Sequence, residues 1–251
     1  MSAPARGTRN EERETVVWHD VECGAYVADL PLWRELASAS AGPVLNVGAG
    51  TGRVALDLAR HGHDVVALDR DADLLAALRE RAGDAEIETV VADAREFDLG
   101  GRRFPLVIVP MQTLQLLGGA GGRAAFLRAA HSHLEPGGLL AAALADALDG
   151  FDDEHTMPPA PDMREFAGTI YHSQVVAVRA WPEATRIKRI RQTVDLAGHR
   201  TAIDDVITLD RVDAAGVAEE AAALGYRALE PRHVPATDEY VGSEVVMLCR
   251  S

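Results

Sequence analysis

A strand-to-helix turn rich in glycine constrains the fold more than any other part of the sequence. The apolar run 44–47 leads directly into Gly48, Gly50 and Gly52, and a helical pattern begins at Arg53. Glycines at alternate positions let the backbone turn sharply and let a ligand approach it without a Cβ in the way. The first turn of the helix also offers unpaired N–H groups to polar or anionic groups. The stretch therefore predicts a ligand-binding loop at the carboxyl end of a strand.

Strands and helices alternate on both sides of this loop. Strand-like runs occur at 43–47, 64–68, 87–91, 104–109, 139–145, 227–233 and 243–249, and helical patterns at 53–61, 72–82, 122–134 and 213–224. Strands separated by helices of this length imply right-handed crossovers and a mostly parallel sheet. We therefore predict an α/β, Rossmann-like fold with a mostly parallel seven-stranded sheet and helices on both faces.

The pattern changes in the middle of the chain. Residues 149–165 are acidic and rich in proline, which predicts a lid loop. The strand-like runs 169–178, 185–196 and 200–210 follow with short connections, which predict antiparallel pairing. The predicted organisation is given by five ranges: a flexible tail at 1–14, an N-terminal helical cover at 15–42, the ligand-binding core at 43–148, the lid loop and antiparallel insertion at 149–210, and the return to the core sheet at 211–251.

Composition excludes several classes of partner. Lys and Arg number 25 against 39 Asp and Glu, a net charge of −14, so nucleic acid and anionic membranes are poor partners. The amino terminus has no apolar signal segment, and no apolar run approaches the ~20 residues of a membrane helix. Two cysteines, Cys23 and Cys249, fit a reducing compartment better than a disulfide. These features predict a cytoplasmic protein.

Two carboxylates continue the pattern of the glycine loop. Asp69 ends the second strand and Asp93 ends the third, followed by Ala94. A carboxylate at the tip of the second strand is placed to accept hydrogen bonds from both ribose hydroxyls of a bound nucleoside. Helix caps and turns also use such Asp residues, but both occur here in register with the loop. A dinucleotide-binding loop has its third glycine at the position that Arg53 occupies here, so the sequence argues against a dinucleotide cofactor.

The spacing Gly48-x-Gly50-x-Gly52, with the two acids and the turn 133–139, resembles the motifs of class I (Rossmann-like) S-adenosylmethionine-dependent methyltransferases of the small-molecule type. The resemblance covers residues 44–145. It implies S-adenosylmethionine as cofactor and assigns contacts with it to Gly48, Ala49, Gly50, Gly52, Asp69, Arg70, Asp93, Ala94 and Gln112. Asp93 would accept from the adenine amine. The family usually has an acid at Asn46; an amide there removes one distant favourable charge.

The catalytic residues are less constrained by the sequence. Methyl transfer needs an aligned nucleophile, and a base only if that nucleophile arrives protonated. The candidates are His19, Tyr26, His155, Tyr171 and His172. Resemblance to enzymes roofed by an amino-terminal cover and an insertion favours Tyr26 as a contact to the cofactor's methionine end and His172 as the base. His131 and His133 are interpreted as structural.

The basic run 186–191 is interpreted as a charged strand face that pairs with Asp195, Asp204 and Asp205, rather than as a site for an anionic substrate. No motif for methylating a base amino group follows the fourth strand, and no metal-ligand spacing is present. We therefore expect O- or N-methylation of a small molecule, without metal; association into a homodimer is left open. The alternatives are a protein that binds the cofactor without transferring methyl and, less favoured, a nicotinamide-dependent oxidoreductase.

Overall fold

The computed structural model describes residues 6–146, 150–152 and 158–251, which form two compact units. The insertion unit comprises the described residues up to Tyr26 together with those of Leu148–Leu209. The core unit comprises those of Val27–Ala147 and Asp210–Ser251. The predicted helical cover 15–42 is therefore divided between the two units.

The helices are α1 (Arg6–Cys23), α2 (Leu30–Ser38), α3 (Arg53–Arg60), α4 (Ala72–Ala82), α5 (Gly119–His133) and α6 (Ala214–Ala222), with a short 3-10 helix at Thr113–Leu116. The core strands are β1 (Val44–Val47), β2 (Val65–Asp69), β3 (Glu88–Val91), β4 (Phe104–Val109) and β5 (Leu134–Ala145). The insertion strands are β6 (Phe151–Asp152), β7 (Asp162–Phe166), β8 (Thr169–Ala180), β9 (Ala184–Val194) and β10 (Arg200–Asp210). The chain ends with β11 (Tyr226–Ala228), β12 (Arg232–Val234) and β13 (Ser243–Arg250). None of the helices in the described residues is long and apolar enough to cross a membrane.

The core sheet has the predicted Rossmann-like organisation. Its strand order is β11-β13-β5-β4-β1-β2-β3, and β12 also pairs with β13. Strands β1 to β5 are parallel, whereas β13 runs antiparallel to its neighbours. The sheet has 8 strands rather than the predicted seven, because the run 227–233 forms two strands. Pro231 lies between them and lacks the N–H that a continuous ladder requires.

Helices cover both faces of this sheet, as predicted. On one face α5 and α6 pack against the sheet through Phe126, Leu127 and Val217. On the other face α2, α3 and α4 pack through Trp33, Leu58 and Leu78, all of them fully buried. Burial on both faces explains why β1, β2 and β4 appear in the sequence as continuous apolar runs rather than as alternating ones.

The insertion unit contains the predicted antiparallel sheet, with two further strands. The order is β10-β9-β8-β6, and β7 pairs with β8. Strand β6 and all of β7 except Phe166 lie within 149–165, which the sequence predicted as a lid loop. Residues 149 and 153–157 of that range, with His155, lie outside the described residues. The missed hairpin turns at Ala167 and Gly168, whose φ angles of 50° and 80° match the right-handed twist of paired strands.

Helix α1 belongs to the insertion unit. It begins at Arg6 and therefore includes residues 6–14 of the range predicted as a flexible tail. Val17, Trp18 and Val21 form a small apolar cluster with Tyr171 of β8, and the rings of Trp18 and Tyr171 meet edge to face at 5.1 Å. The tail residues carry no apolar periodicity, so no sequence pattern indicated that the helix extends through them.

The basic run on β9 is paired, but not only as predicted. Lys188 contacts Asp204, and Arg189 and Arg191 contact Asp205. Asp195 pairs instead with His199. The unpredicted partner is Glu22 of α1, which accepts hydrogen bonds from Arg189, Arg191 and Ser173.

Glu22 is a buried carboxylate whose charge is kept by this cluster. Burial works to raise its pKa, but the hydrogen bond from Arg191 and the charges of Arg189 and Arg191 outweigh burial and lower it. The ion pairs of Glu22 with Arg189 and Arg191 therefore hold α1 on the insertion sheet in addition to the apolar contacts.

Candidate functional site

The glycine loop after β1 adopts conformations that only glycine takes readily. The φ angles of Gly48, Gly50 and Gly52 are 69°, 54° and 96°. A Cβ on Gly48 would lie 2.5 Å from Oγ1 of Thr113, and one on Gly52 would lie 2.7 Å from Cγ of Leu78. Both glycines are therefore required by conformation and by close packing.

Asp69 occupies the predicted position at the end of β2 and holds the loop. Its Oδ2 accepts from Gly50 N at 2.8 Å, and its Oδ1 accepts from Asp71 N at 3.0 Å. Each carboxylate oxygen has two acceptor sites, so each retains capacity for one hydroxyl donor. Asp69 thus has free acceptor capacity at the position where the sequence predicts contact with a ribose diol.

Asp93, at the end of the stretch after β3, has a partner that the sequence did not indicate. Arg95 donates to Asp93 through its backbone N–H at 2.8 Å, its Nε at 2.9 Å and its Nη2 at 2.5 Å. These bonds from Arg95, followed by the charge of Arg70, lower the pKa of Asp93 to about 2. Asp93 is therefore a firmly ionised acceptor, and Arg70 is exposed beside it.

The turn after β4 carries the fourth predicted contact region. Met111 has φ 55°, an unusual conformation for a residue other than glycine, and Gln112 caps the 3-10 helix Thr113–Leu116. Thr113 Oγ1 donates to Pro110 O at 3.1 Å and lies against the α carbon of Gly48. The glycine loop and this turn are thus packed on each other.

The predicted cofactor contacts in the core unit all lie at or just beyond the carboxyl ends of β1 to β4, at one edge of the parallel sheet. They are Gly48, Ala49, Gly50, Gly52, Asp69, Arg70, Asp93, Ala94 and Gln112.

Arg53, which stands where a dinucleotide loop has glycine, has a structural role. Its Nη1 and Nη2 donate to Asp29 at 2.5 and 2.8 Å, and Trp33 Nε1 donates to the same carboxylate at 2.8 Å. Asp29 is 1% exposed. The ion pair ties the start of α2 to the start of α3, and the long side chain of Arg53 excludes the close helix approach that a third glycine serves.

Asn46 is the one buried amide in β1. It is 1% exposed, and its Oδ1 has no hydrogen-bond partner in the described part of the chain. An unpaired buried acceptor costs free energy. Asn46 lies two residues before Gly48, next to the glycine loop. It occupies the position where the family usually has an acidic residue, so this position carries no charge.

The two predicted catalytic residues, Tyr26 and His172, belong to the insertion unit. Tyr26 is buried. His172 lies on β8, half-buried, and its Nδ1 is shielded from solvent without a hydrogen-bond partner among the described residues. Tyr171 packs on Trp18, and burial together with the charge of Glu14 raises its pKa. Residues 6–146, 150–152 and 158–251 contain no group of three or more His, Cys, Asp or Glu placed to hold a metal ion.

Comparison with known proteins supports the core as a cofactor domain. Residues 44–138 match the model of the methyltransferase domain family. No curated protein matches the sequence.

Solved structures share the fold across both units. The CcbJ methyltransferase from Streptomyces caelestis aligns with a TM-score of 0.67 and 20% identity, covering 90% of this chain and 91% of that chain. An amino pentose methyltransferase from Micromonospora echinaspora, with S-adenosylmethionine bound, gives 0.64 and 20%, with coverages of 100% and 98%. A sugar N-methyltransferase from Streptoalloteichus sp. gives 0.65 and 20%, with coverages of 100% and 94%.

Proposed function

We propose that this chain is a class I S-adenosylmethionine-dependent methyltransferase and that it methylates an amine on a small molecule of the amino-sugar class; the match of residues 44–138 to the methyltransferase domain family supports this. Two structures that this chain matches over its whole length are described as an amino pentose methyltransferase and a sugar N-methyltransferase. The net charge of −14 favours a cationic amine over an anionic acceptor. The observation that carries the proposal is the hydrogen bond from Gly50 N to Asp69, which holds the glycine loop in a form that suits the cofactor.

S-adenosylmethionine fits the residues at this edge of the sheet. The positions that Cβ atoms would fill at Gly48 and Gly52 are taken by Thr113 and Leu78, so side chains at either position would displace the loop from its place at the end of β1. Asp69 offers the remaining lone pairs to a diol, and Asp93 offers an ionised acceptor. We propose that Asp69 binds the ribose hydroxyls, that Asp93 and Ala94 bind the adenine edge, and that Gln112 and Tyr26 bind near the methionine end.

The cofactor supplies a methyl group already activated by a positive sulfur. The chain's own residues then have to hold the acceptor nitrogen in line with that group and exclude water. An alkylammonium must also lose a proton before it is nucleophilic. The glycine loop and the turn at Met111 and Gln112 provide fixed backbone positions for the first task, because both are locked by Thr113.

His172 is our proposed base for the proton. Its Nδ1 has no hydrogen-bond partner among the described residues, and an imidazole nitrogen without a partner can accept a proton once an amine comes within hydrogen-bond reach of it. Tyr171 is less suited, because its hydroxyl is kept protonated by the raised pKa.

The experiment that tests this function incubates the protein with S-adenosylmethionine and matched sugars that differ only in one group, amino or hydroxyl. Mass spectrometry should detect equal amounts of S-adenosylhomocysteine and N-methyl product from the amino sugar and none from the hydroxyl analogue. An O-methyl product would contradict amine methylation. Cofactor binding without any product across the panel would favour a binding protein that does not transfer methyl.

The same assay tests the base. We expect His172→Ala to lower kcat at least about a hundredfold, the lower range for a general base. His199→Ala is the matched control, since His199 lies in the same unit but is exposed and pairs with Asp195. A loss equal to that of the control would remove His172 from the mechanism.

A further inference from the structure

Gln115 is a buried polar side chain on the 3-10 helix after β4, only 6% exposed. Its Oε1 accepts from Ala145 N at 2.8 Å, and its Nε2 donates to Asp210 O at 3.2 Å. Ala145 is the last residue of β5 and Asp210 is the last residue of β10. One side chain thus joins the point where the chain leaves the core unit to the point where it returns. We refer to Ala145, Asp210 and Gln115 as the neck.

A second set of contacts fixes the return side of the neck. The carboxylate of Asp210 accepts from Gly119 N at 2.6 Å and from Arg123 Nη1 at 2.9 Å. Arg123 is 6% exposed and also binds Glu220 at 2.9 and 2.6 Å. Asp210 is therefore held by backbone and side chain at once, and helices α5 and α6 provide the anchors.

The neck is continuous with the cofactor site through the turn that carries Gln115. Two residues before it, Thr113 packs against the α carbon of Gly48. Gln115 N also donates to the carbonyl of Gln112 at 2.9 Å, which closes the turn. A displacement of the glycine loop would therefore be passed through Thr113 to the short helix, and from there to Ala145 and Asp210.

We infer that Gln115 is a positioning residue that couples the cofactor loop to the neck of the insertion. Only an amide of this length both accepts from one backbone and donates to the other. Glutamate keeps the acceptor for Ala145 but has no donor for Asp210, and leucine keeps neither. The effect on methylation rests on the proposed function; the effect on backbone exchange does not.

The first test is amide hydrogen exchange with and without S-adenosylhomocysteine. In the unaltered protein the ligand should slow exchange at Ala145 and at the residues following Asp210. Gln115→Leu should speed exchange at Ala145 at least tenfold and abolish the ligand-dependent slowing there. Val217→Ala is the control: it removes methyl groups from a fully buried side chain on α6 and leaves every hydrogen bond of Gln115, Arg123 and Asp210 in place, so it should retain the slowing.

The second test separates binding from turnover. Gln115→Glu and Gln115→Leu should bind S-adenosylhomocysteine with an affinity within twofold of that of the unaltered protein. The kcat for methylation of the amino sugar that serves as substrate should fall at least tenfold. Val217→Ala, compared at the same distance below its Tm, should keep its kcat. Unchanged ligand-dependent exchange at Ala145 in Gln115→Leu, or an equal loss of kcat in Val217→Ala, would overturn the coupling. If the unaltered protein methylates no amino sugar, the proposed function fails. The hydrogen-exchange result then decides alone whether Gln115 couples the cofactor loop to the neck.

Discussion

The core unit and the insertion unit place their chemistry-bearing residues by different means. In the core unit, glycines and carboxylates directly follow parallel strands, and Gly50 and Asp69 are joined through one backbone hydrogen bond at 2.8 Å. In the insertion unit, His172 and Ser173 lie along a strand whose packing depends on α1, and Ser173 bonds to Glu22 from a position 151 residues away in the chain. A site built at strand ends follows from element order, whereas one built on a strand face depends on long-range pairing.

The largest expected effect tests that dependence in the insertion unit. Glu22→Gln should lower the free energy of unfolding of this unit by about 3 kcal/mol at neutral pH, because it removes the better shielded of the two carboxylates that pair with Arg189 and Arg191 and leaves Asp205 as their acidic partner. Denaturant unfolding followed by hydrogen exchange of α1 measures it. Affinity for S-adenosylhomocysteine should stay unchanged.

The pH dependence of that variant follows from the lowered pKa of Glu22. A carboxyl with a lowered folded-state pKa contributes stability above its unfolded pKa and loses that contribution as the pH falls through the folded value. The difference between Glu22→Gln and the unaltered protein should therefore vanish in acid. Glu35→Gln, which breaks an exposed pair with Arg232, is the control and should leave the free energy of unfolding almost unchanged at every pH. A pH-independent difference would mean that Glu22 acts through packing and not through charge.

A smaller effect is expected in the core unit, from the glycine loop. Gly48→Ala introduces a Cβ into a positive-φ position and against Thr113, so the loop must shift. We expect S-adenosylhomocysteine to bind about a hundredfold more weakly by calorimetry, ~2.7 kcal/mol. Gly62→Ala is the matched control, because Gly62 also has positive φ, 85°, but nothing lies within 4 Å of its added Cβ. Equal losses in the two variants would make backbone strain alone responsible and remove Thr113 from the account.

The smallest of these effects concerns Asp69. Asp69→Ala removes an ionised acceptor of two hydroxyl hydrogen bonds, and we expect at least about tenfold weaker cofactor affinity with the fold intact by circular dichroism. Asp71→Ala serves as the control, since Asp71 caps α4 two residues later and should affect stability but not affinity. If both variants bind the cofactor normally, the ribose lies elsewhere and the site would not be predictable from strand-end positions.

The same contrast explains which parts of the molecule the sequence predicted. The mostly parallel sheet, the helices on both faces and the antiparallel insertion follow from periodicity and connection length, whereas the order of the strands was not predicted. Three features were not visible: the bidentate hold of Arg95 on Asp93, the ion pair between Arg53 and Asp29, and the neck at Gln115. Each is a side-chain contact that no spacing rule specifies.

Secondary structure was missed for a similar reason in the hairpin of β7 and β8. A Pro-rich, acidic range suggested a loop, but its last residues are paired through the backbone, which is independent of composition. The eighth core strand was missed because the run 227–233 was interpreted as one strand, although Pro231 divides it into β11 and β12.

Calorimetry of cofactor binding tests the central claim most directly. An adenosyl cofactor is favoured over a dinucleotide by the spacing of the glycine loop and by Arg53 at the position of a third glycine. The hydrogen bond from Gly50 N to Asp69 holds that loop in place. S-adenosylmethionine and S-adenosylhomocysteine should bind with a defined heat at a single site, and NAD should give only the heat of dilution. Binding of NAD without binding of either adenosyl compound would contradict the account.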